Sequence, residues 1–452
     1  MTDGSAPAQR ATLKTLLRLA TPIVLSRASQ TVVGLSDAIM VAHLGASALA
    51  ATSTGATNAF SLLIFPMGIT FIVSSFASQL FGRGDLVSAR RYGWYGLVVA
   101  GFTQVLCFAS IPLFGPAVGL LPYEADVQRL MTAYLGVRII SGGAAIGIEA
   151  LANYYGGLGR TVPGMVVNLV AMGLNVALNF VLINGAGPLP QLGVVGAALA
   201  STISTIVAFL GFFVFFLREG KGLPPPRLSR AELLRMLRFG VPSGFNWFFE
   251  FLAFIFFVNV VVAGLGTPAV AALNSVIALN SVSFMPSFGV ASAGAVLVGQ
   301  AIGAGHKDDV GHVVKLSAGT AAVWMTLAGL LYLLIPEVLL IPFARGEGGP
   351  EVLRFGVRML MVSAAWQLFD ASATTLAECL RAAGDTLYPL VVRLVIAWVV
   401  FVPGAWFTVR HFGGGDIGAM AWLVAYIGLL ALVLFVRFRS GKWRTMELIE
   451  PH

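Results

Sequence analysis

Leu16-Leu-Arg-Leu-Ala-Thr-Pro22 returns 220 residues later as Met236-Leu-Arg-Phe-Gly-Val-Pro242. Further correspondences follow in the same order. Pro66 answers Pro286, and Gln79-Leu-Phe-Gly-Arg-Gly84 answers Gln300-Ala-Ile-Gly-Ala-Gly305. Gly157-Leu-Gly-Arg-Thr161 answers Ala382-Ala-Gly-Asp-Thr386, and Gly196-Ala197 answers Gly418-Ala419. The offset stays between 220 and 225, so the chain is a tandem repeat of two halves.

Each half is apolar from end to end. The 452 residues are 58% hydrophobic and 11% charged, against about 25% charged in a soluble domain. Reading the apolar runs gives twelve membrane-length helices, at 16–43, 49–80, 89–115, 128–156, 162–184, 193–217, 238–264, 269–302, 312–344, 354–380, 386–410 and 416–438. The fold class expected is therefore an all-α polytopic membrane protein of two pseudo-symmetric six-helix bundles. The N-terminal lobe is read as 1–217, a cytoplasmic linker as 218–237, and the C-terminal lobe as 238–452. Six helices per half is an even number, so the halves insert with one orientation, related by an axis along the membrane normal. Such a pair is expected to enclose a cavity and to rock one lobe against the other.

The formal charge of +8 does not point to nucleic acid, because it is distributed by topology. Alternate loops on one side hold 20 of the 28 Lys and Arg residues, while the other side holds five: Arg129, Arg345, Arg354, Arg358 and Arg410. The positive-inside rule then puts both termini in the cytoplasm of a cell whose inner membrane the chain crosses. The opening residues MTDGSAPAQR lack the apolar run and small-residue cleavage site of a signal peptide, leaving helix 1 as the targeting element. Cys107 and Cys379 both lie in apolar segments and read as packing residues, neither disulfide nor metal ligands. In the linker, Pro224-Pro225-Pro226 excludes helix, and Ser229-Arg-Ala-Glu232 has the spacing of a capping box opening a short amphipathic helix.

Against this background, three carboxylates stand out. Asp37, Glu250 and Asp370 each lie inside a membrane-length helix, where an ionised acid facing lipid costs about 2.5–3.5 kcal/mol. Asn168, Asn175 and Asn179 on helix 5 recur at seven and four residues, on one face. Asn168 reads as an interhelical hydrogen-bonding residue. Asp37 with Asn175 and Asn179, and a hydroxyl from Ser201, makes a set of oxygens suited to a proton or a small hard cation. In the second half, Asn246 lies one turn before Glu250, and Gln367, Asp370 and Thr374 form a polar stripe on helix 10. No Lys or Arg lies at comparable depth on these two helices, which favours a functional site, with Na+ as one candidate at Glu250 and Asp370, over a structural ion pair. Glu149, Glu337 and Glu378 lie nearer the helix ends and are expected to be solvated. Trp247, Phe248, Phe249 and Phe369 flank the acids, a setting that accepts flat organic cations. Asp37, Asn246, Trp247, Gln367, Phe369 and Thr374 are accordingly the expected substrate contacts. Pro22, Pro66, Pro242 and Pro286 occupy repeat-equivalent positions where helices bend.

These residues resemble the multidrug and toxic compound extrusion (MATE) family. The resemblance rests on Gly34-Leu-Ser-Asp37-Ala-Ile-Met-Val-Ala-His-Leu-Gly45, on Leu174-Asn175-Val-Ala-Leu-Asn179-Phe-Val-Leu-Ile183, and on Gly193-Val-Val-Gly-Ala-Ala-Leu-Ala-Ser201. Phe369-Asp370 followed by Leu380-Arg-Ala-Ala-Gly-Asp-Thr386 adds to it. It covers residues 13–440 and implies a V-shaped pair of lobes exporting drugs in exchange for Na+ or H+. Glu250 and Asp370 look like the NorM-like branch, whose matching acids form a C-lobe cation site, and Asp37, Asn175 and Asn179 match the N-lobe polar site. Asn179 stands where some relatives carry an acid, and Ser201 where Thr is common, so the coupling ion stays open between Na+ and H+. No other cofactor is implied. The partners expected are small organic cations and the lipid bilayer, with no nucleic acid and a monomeric chain.

Two rivals make different demands. A lipid-linked oligosaccharide flippase would need a basic cavity, whereas the acids here dominate. An intramembrane aspartyl protease would need Asp37 and Asp370 to share a proton at about 3 Å. P-loop and HExxH motifs are absent, so neither ATP-driven nor metalloprotease chemistry is expected, and the chain reads as a carrier with no enzymatic activity.

Overall fold

A backbone in hydrocarbon must satisfy its own N–H and C=O groups, and a helix does this within one segment. The computed structural model describes residues 11–185, 190–222, 227–344 and 348–449, all of them helical or in short connections, with no strand among them. Twelve helical spans follow in order. The first six are α1 Leu13–Ala42, α2 Ala46–Gly82, α3 Leu86–Gly119, α4 Ala125–Gly157, α5 Val162–Asn184 and α6 Gly193–Glu219. The second six are α7 Arg230–Leu265, α8 Thr267–Gly303, α9 Val310–Leu334, α10 Gly349–Ala382, α11 Leu387–His411 and α12 Gly415–Arg439. Eleven are long and apolar enough to cross a membrane. The other, α1, has the length at 30 residues but carries Lys14, Arg18, Arg27, Gln30 and Asp37. The all-α polytopic expectation holds.

The repeat motifs now have a local cause. Gly84 after α2 and Gly305 after α8 both adopt φ +83°, the left-handed region that only glycine enters without strain. The next residue closes each helix: the Asp85 N–H donates to the Leu80 carbonyl at 2.9 Å, and the His306 N–H to the Ala301 carbonyl at 2.8 Å. This is a Schellman cap, which satisfies carbonyls that the helix end would leave open. The Gly159 and Gly384 turns close in the same way, through Arg160 to Tyr155 and Asp385 to Leu380, both at 2.9 Å.

Two spans change pitch. α7 widens into a π-helical turn at Phe257–Val261, and α11 does so at Ile396–Phe401. In α11 the cause is Pro403, which has no N–H to offer the preceding turn. The two widened turns pack together, Phe256 on Trp398 at 6.1 Å and Phe257 on Phe401 at 5.1 Å between ring centroids.

The linker reading needs correction. Pro224, Pro225 and Pro226 lie outside the described residues, as do Arg10, Arg345 and the first nine residues. The short amphipathic helix is not separate: one helix runs from Arg230 through Pro242 to Phe256. The capping box is only half made. Ser229 Oγ accepts the Ala231 N–H at 3.2 Å, but Glu232 turns away from the cap. It accepts the Tyr95 hydroxyl at 2.6 Å and pairs with Arg91 at 2.8 Å, because α3 supplies a charged donor and the helix terminus does not.

The chain divides into two compact units, and the division does not fall in the linker. One unit comprises Met1–Val24, Gly82–Gly84 and Phe245–His452; the other comprises Leu25–Phe81 and Asp85–Gly244. The breaks come two residues after Pro22 in α1 and two after Pro242 in α7. In the first unit, Leu16, Leu19 and Ala20 of α1 bury against Val290, Ala293, Ala321, Met325 and Ala371, and a larger core surrounds Phe257, Leu360, Phe401 and Leu434. In the second, Val41, Tyr134, Ile183, Val194 and Ala197 form a compact core, and Tyr154, Tyr155, Phe212 and Phe216 pack ring on ring.

Replacing Gly305 with Ala puts a Cβ into the left-handed region. A loss of about 1 kcal/mol is expected, read as a thermal midpoint a few degrees lower in detergent, whereas Gly311→Ala, helical and facing open space, leaves it no lower.

Candidate functional site

In the second unit, Asp37, Asn175, Asn179 and Ser201 close a ring of hydrogen bonds. Asn179 Nδ2 donates to Asp37 Oδ1 at 2.5 Å and to Asn175 Oδ1 at 3.1 Å. Asn175 Nδ2 donates to Ser201 Oγ at 2.9 Å, and the Ser201 hydroxyl donates to Asp37 Oδ2 at 2.9 Å. All four side chains are buried. The four-residue spacing of the two asparagines aims both amides from one face of α5. Close helix approach supplies the rest, since a Cβ on Gly196 of α6 would sit 2.4 Å from the Leu182 carbonyl of α5.

One turn from three of the four ring members lies an apolar residue of the same core: Val41 after Asp37, Ile183 after Asn179, and Ala197 before Ser201. The core therefore caps the ring and strengthens its hydrogen bonds by lowering the local dielectric. Asn179 Oδ1 remains buried with no donor, an oxygen available to a proton carrier or a cation. Arg138 of α4 lies within electrostatic range of Asp37 and hydrogen-bonds Ser141 at 2.6 Å. Both Asp37 oxygens accept hydrogen bonds within this unit.

A second polar group in this unit was expected to be solvated and is not. Glu149 is buried and takes both guanidinium nitrogens of Arg27, each at 2.9 Å, with Gln30 at 3.0 Å. Asn168 behaves as expected, bonding Ser26 at 2.9 Å and the Gly164 carbonyl at 3.0 Å.

In the first unit, Glu250 of α7 and Asp370 of α10 come within electrostatic range of each other, joined by a residue that the reading of helices 7 and 10 passed over. Arg393 of α11 is buried and forms an ion pair with Glu250. Helices 7 and 10 themselves carry no basic residue at that depth, but the ion pair set aside on that ground is present at Glu250, because its partner comes from a third helix. A signal was present in the sequence: the loops hold 25 of the 28 basic residues, which leaves Arg27, Arg138 and Arg393 inside the helices. The widened turns of α7 and α11, which pack through Phe256 on Trp398 and Phe257 on Phe401, lie further along the same two helices. Tyr426 of α12 stacks on Phe401 at 5.0 Å with its hydroxyl in the field of Arg393.

Asp370 has a different setting. It accepts a hydrogen bond from Thr374 at 3.3 Å and makes no ion pair of its own among the described residues. Gln367 is buried and donates to Asn280 Oδ1 at 2.5 Å, while its Oε1 has no donor. Asn246 Oδ1, one turn before Glu250, is also buried and unpartnered. Trp247 sets its ring edge-on to Phe288 at 5.9 Å, and Phe369 is exposed. Glu378 was expected to reach water but is buried against Arg381. Glu337 is exposed as expected. Three of the acids are thus compensated: Arg27 answers Glu149, Arg393 answers Glu250, and Arg381 at the end of α10 answers Glu378.

The sequence matches the MatE family profile over residues 22–181 and 242–407, one segment in each half of the repeat. It is similar to the probable multidrug resistance protein NorM of Thermotoga maritima, 28% identical over 449 residues, covering 96% of this chain and 94% of that one. The protein of the same name from Caulobacter vibrioides is 30% identical over 445 residues, covering 95% and 92%. Among solved structures, a MOP superfamily transporter from Pyrococcus furiosus superposes with a TM-score of 0.89 at 20% identity, covering 97% of this chain and 98% of that one. A eukaryotic MATE transporter does so with 0.84 at 17% identity, covering 95% and 96%. These structures carry the same fold.

Asn179→Ala removes the donor to two buried oxygens, Asp37 Oδ1 and Asn175 Oδ1. The expected loss is about 1–3 kcal/mol. Ser204→Ala, whose hydroxyl bonds a carbonyl of its own helix, serves as the comparison and is expected to cost well under half as much in thermal unfolding of the detergent-solubilised protein.

Proposed function

Because the chain belongs to the MatE family, we propose that it is a secondary active multidrug efflux transporter. It exports small, aromatic organic cations in exchange for an inward-moving cation, and it catalyses no chemical reaction. The observation that carries this reading is Asp370: a carboxylate within the bilayer span, partnered by one hydroxyl and held without an ion pair of its own. A group so costly to place in apolar surroundings is kept when its charge state is used. The NorM naming of the relatives supports the drug class.

The mechanism follows from charge. Substrate cations are attracted to Asp37 and Asp370 while these are ionised. A proton or Na+ entering from outside neutralises them, which removes the attraction and releases the substrate outward. Loss of that cation to the cytoplasm restores the charge. With one monovalent cation entering for each substrate cation leaving, no net charge moves, so the drive is the concentration gradient of the coupling ion: a tenfold gradient supplies about 1.4 kcal/mol, enough for roughly tenfold accumulation. Trp247 and Phe369 supply ring surface near the acids for a flat cation. We place the chain in the cytoplasmic membrane with both termini inside, on the distribution of basic residues between loops.

The test is efflux of ethidium from proteoliposomes under an imposed Na+ or pH gradient, each alone. Asp37→Asn and Asp370→Asn are each expected to lower gradient-driven efflux at least tenfold. Full gradient-driven efflux by both variants would overturn the scheme.

A further inference from the structure

The Glu250–Arg393 pair changes what the acid site of the first unit can accept. Two carboxylates and one guanidinium leave a single uncompensated negative charge, and it resides on Asp370. We propose that Arg393 is a resident cation that excludes Na+ from the Glu250–Asp370 site and so makes Asp370 a proton carrier. This deepens the antiport reading, on which it rests, by naming the coupling ion and the residue that selects it.

The argument is one of coordination and charge. A hard metal cation gives up its water shell only for several oxygen ligands held around it. Here the Glu250 carboxylate is already engaged by the guanidinium. A metal ion beside Asp370 would also feel the fixed positive charge of Arg393, which acts on Asp370 directly. Arginine keeps its charge throughout, so this repulsion cannot be titrated away. A proton needs no coordination shell: it joins one Asp370 oxygen, neutralises the remaining charge, and leaves the Glu250–Arg393 pair intact.

The groups around Asp370 come from every neighbouring span. Glu250 comes from α7, Arg393 from α11, and Thr374 from α10 itself. Tyr426 of α12 lies by Arg393. Asn280 of α8 is bound to Gln367, and Tyr332 of α9 donates to the Leu279 carbonyl at 2.9 Å. Glu378 and Arg381 pair with each other toward the end of α10.

Removing the guanidinium should expose the alternative. Asn246 Oδ1 and Gln367 Oε1, one turn before Glu250 and Asp370, are buried oxygens with no donor. Together with two freed carboxylates they are the ligand types that a sodium ion takes.

The experiment is equilibrium binding of radiolabelled sodium to the purified full-length protein in detergent. The wild type is expected to show no saturable binding above that of Asp370→Asn. Arg393→Gln is expected to gain saturable sodium binding, at least tenfold above the wild-type signal at the same sodium concentration, and lowering the pH should compete it off. Arg393→Ser, whose smaller side chain leaves room for water, serves where the Gln variant does not fold. Saturable sodium binding by the wild type that Asp370→Asn abolishes would overturn the assignment. So would a folded Arg393 variant that gains no sodium binding. The readout needs no transport, so failure of both gradients to drive ethidium efflux would fell the antiport reading while this result still decided the role of Arg393.

Discussion

Desolvation of charge is the constraint around which this molecule is arranged. A carboxylate removed from water into an apolar bundle must find an opposite charge, several hydrogen-bond donors, or a proton. The chain uses all of these answers. Glu149, Glu250 and Glu378 are met by arginines. Asp37 is met mainly by neutral donors from two other helices, with Arg138 at longer range. Asp370, with a single threonine hydroxyl, is the least provided for. The gradation matters more than the number of acids, because a fully answered carboxylate is structural and an underprovided one is free to bind.

Each answer depends on how the helices are held. The ring around Asp37 needs α5 and α6 closer than a methyl group would allow, which Gly196 permits. The Glu250–Arg393 pair needs α7 and α11 aligned, and both helices widen beside it and pack through aromatic rings. Departures from regular helix geometry often mark functional segments. Here they lie on the two helices that carry an acid and its counter-ion.

Much of this was legible in the sequence. The repeat was readable because both halves close their helices with the same left-handed glycine, a requirement that does not depend on distant contacts. The Asp37 ring was readable because α5 displays Asn175 and Asn179 on one face and apolar sequence leaves them few other partners. Reading helices 7 and 10 alone missed Arg393, because a counter-ion from a third helix leaves no trace in their spacing. Glu149 and Glu378 differ from expectation for a related reason: nearness to a helix end suggests access to water, but both are buried against arginines. The capping box at Ser229 failed because Arg91 and Tyr95 drew Glu232 away.

The sequence by itself determined that this is a twofold repeat of apolar helices, where the turns fall, and which acids are expensive. Those are consequences of local periodicity, backbone sterics and transfer free energy. Only the tertiary structure decided which of the acids are already neutralised, and that the compact units divide within α1 and α7, just past Pro22 and Pro242. Pairing of charge and helix-on-helix packing join residues more than a hundred positions apart, and spacing along the chain carries no record of such distances.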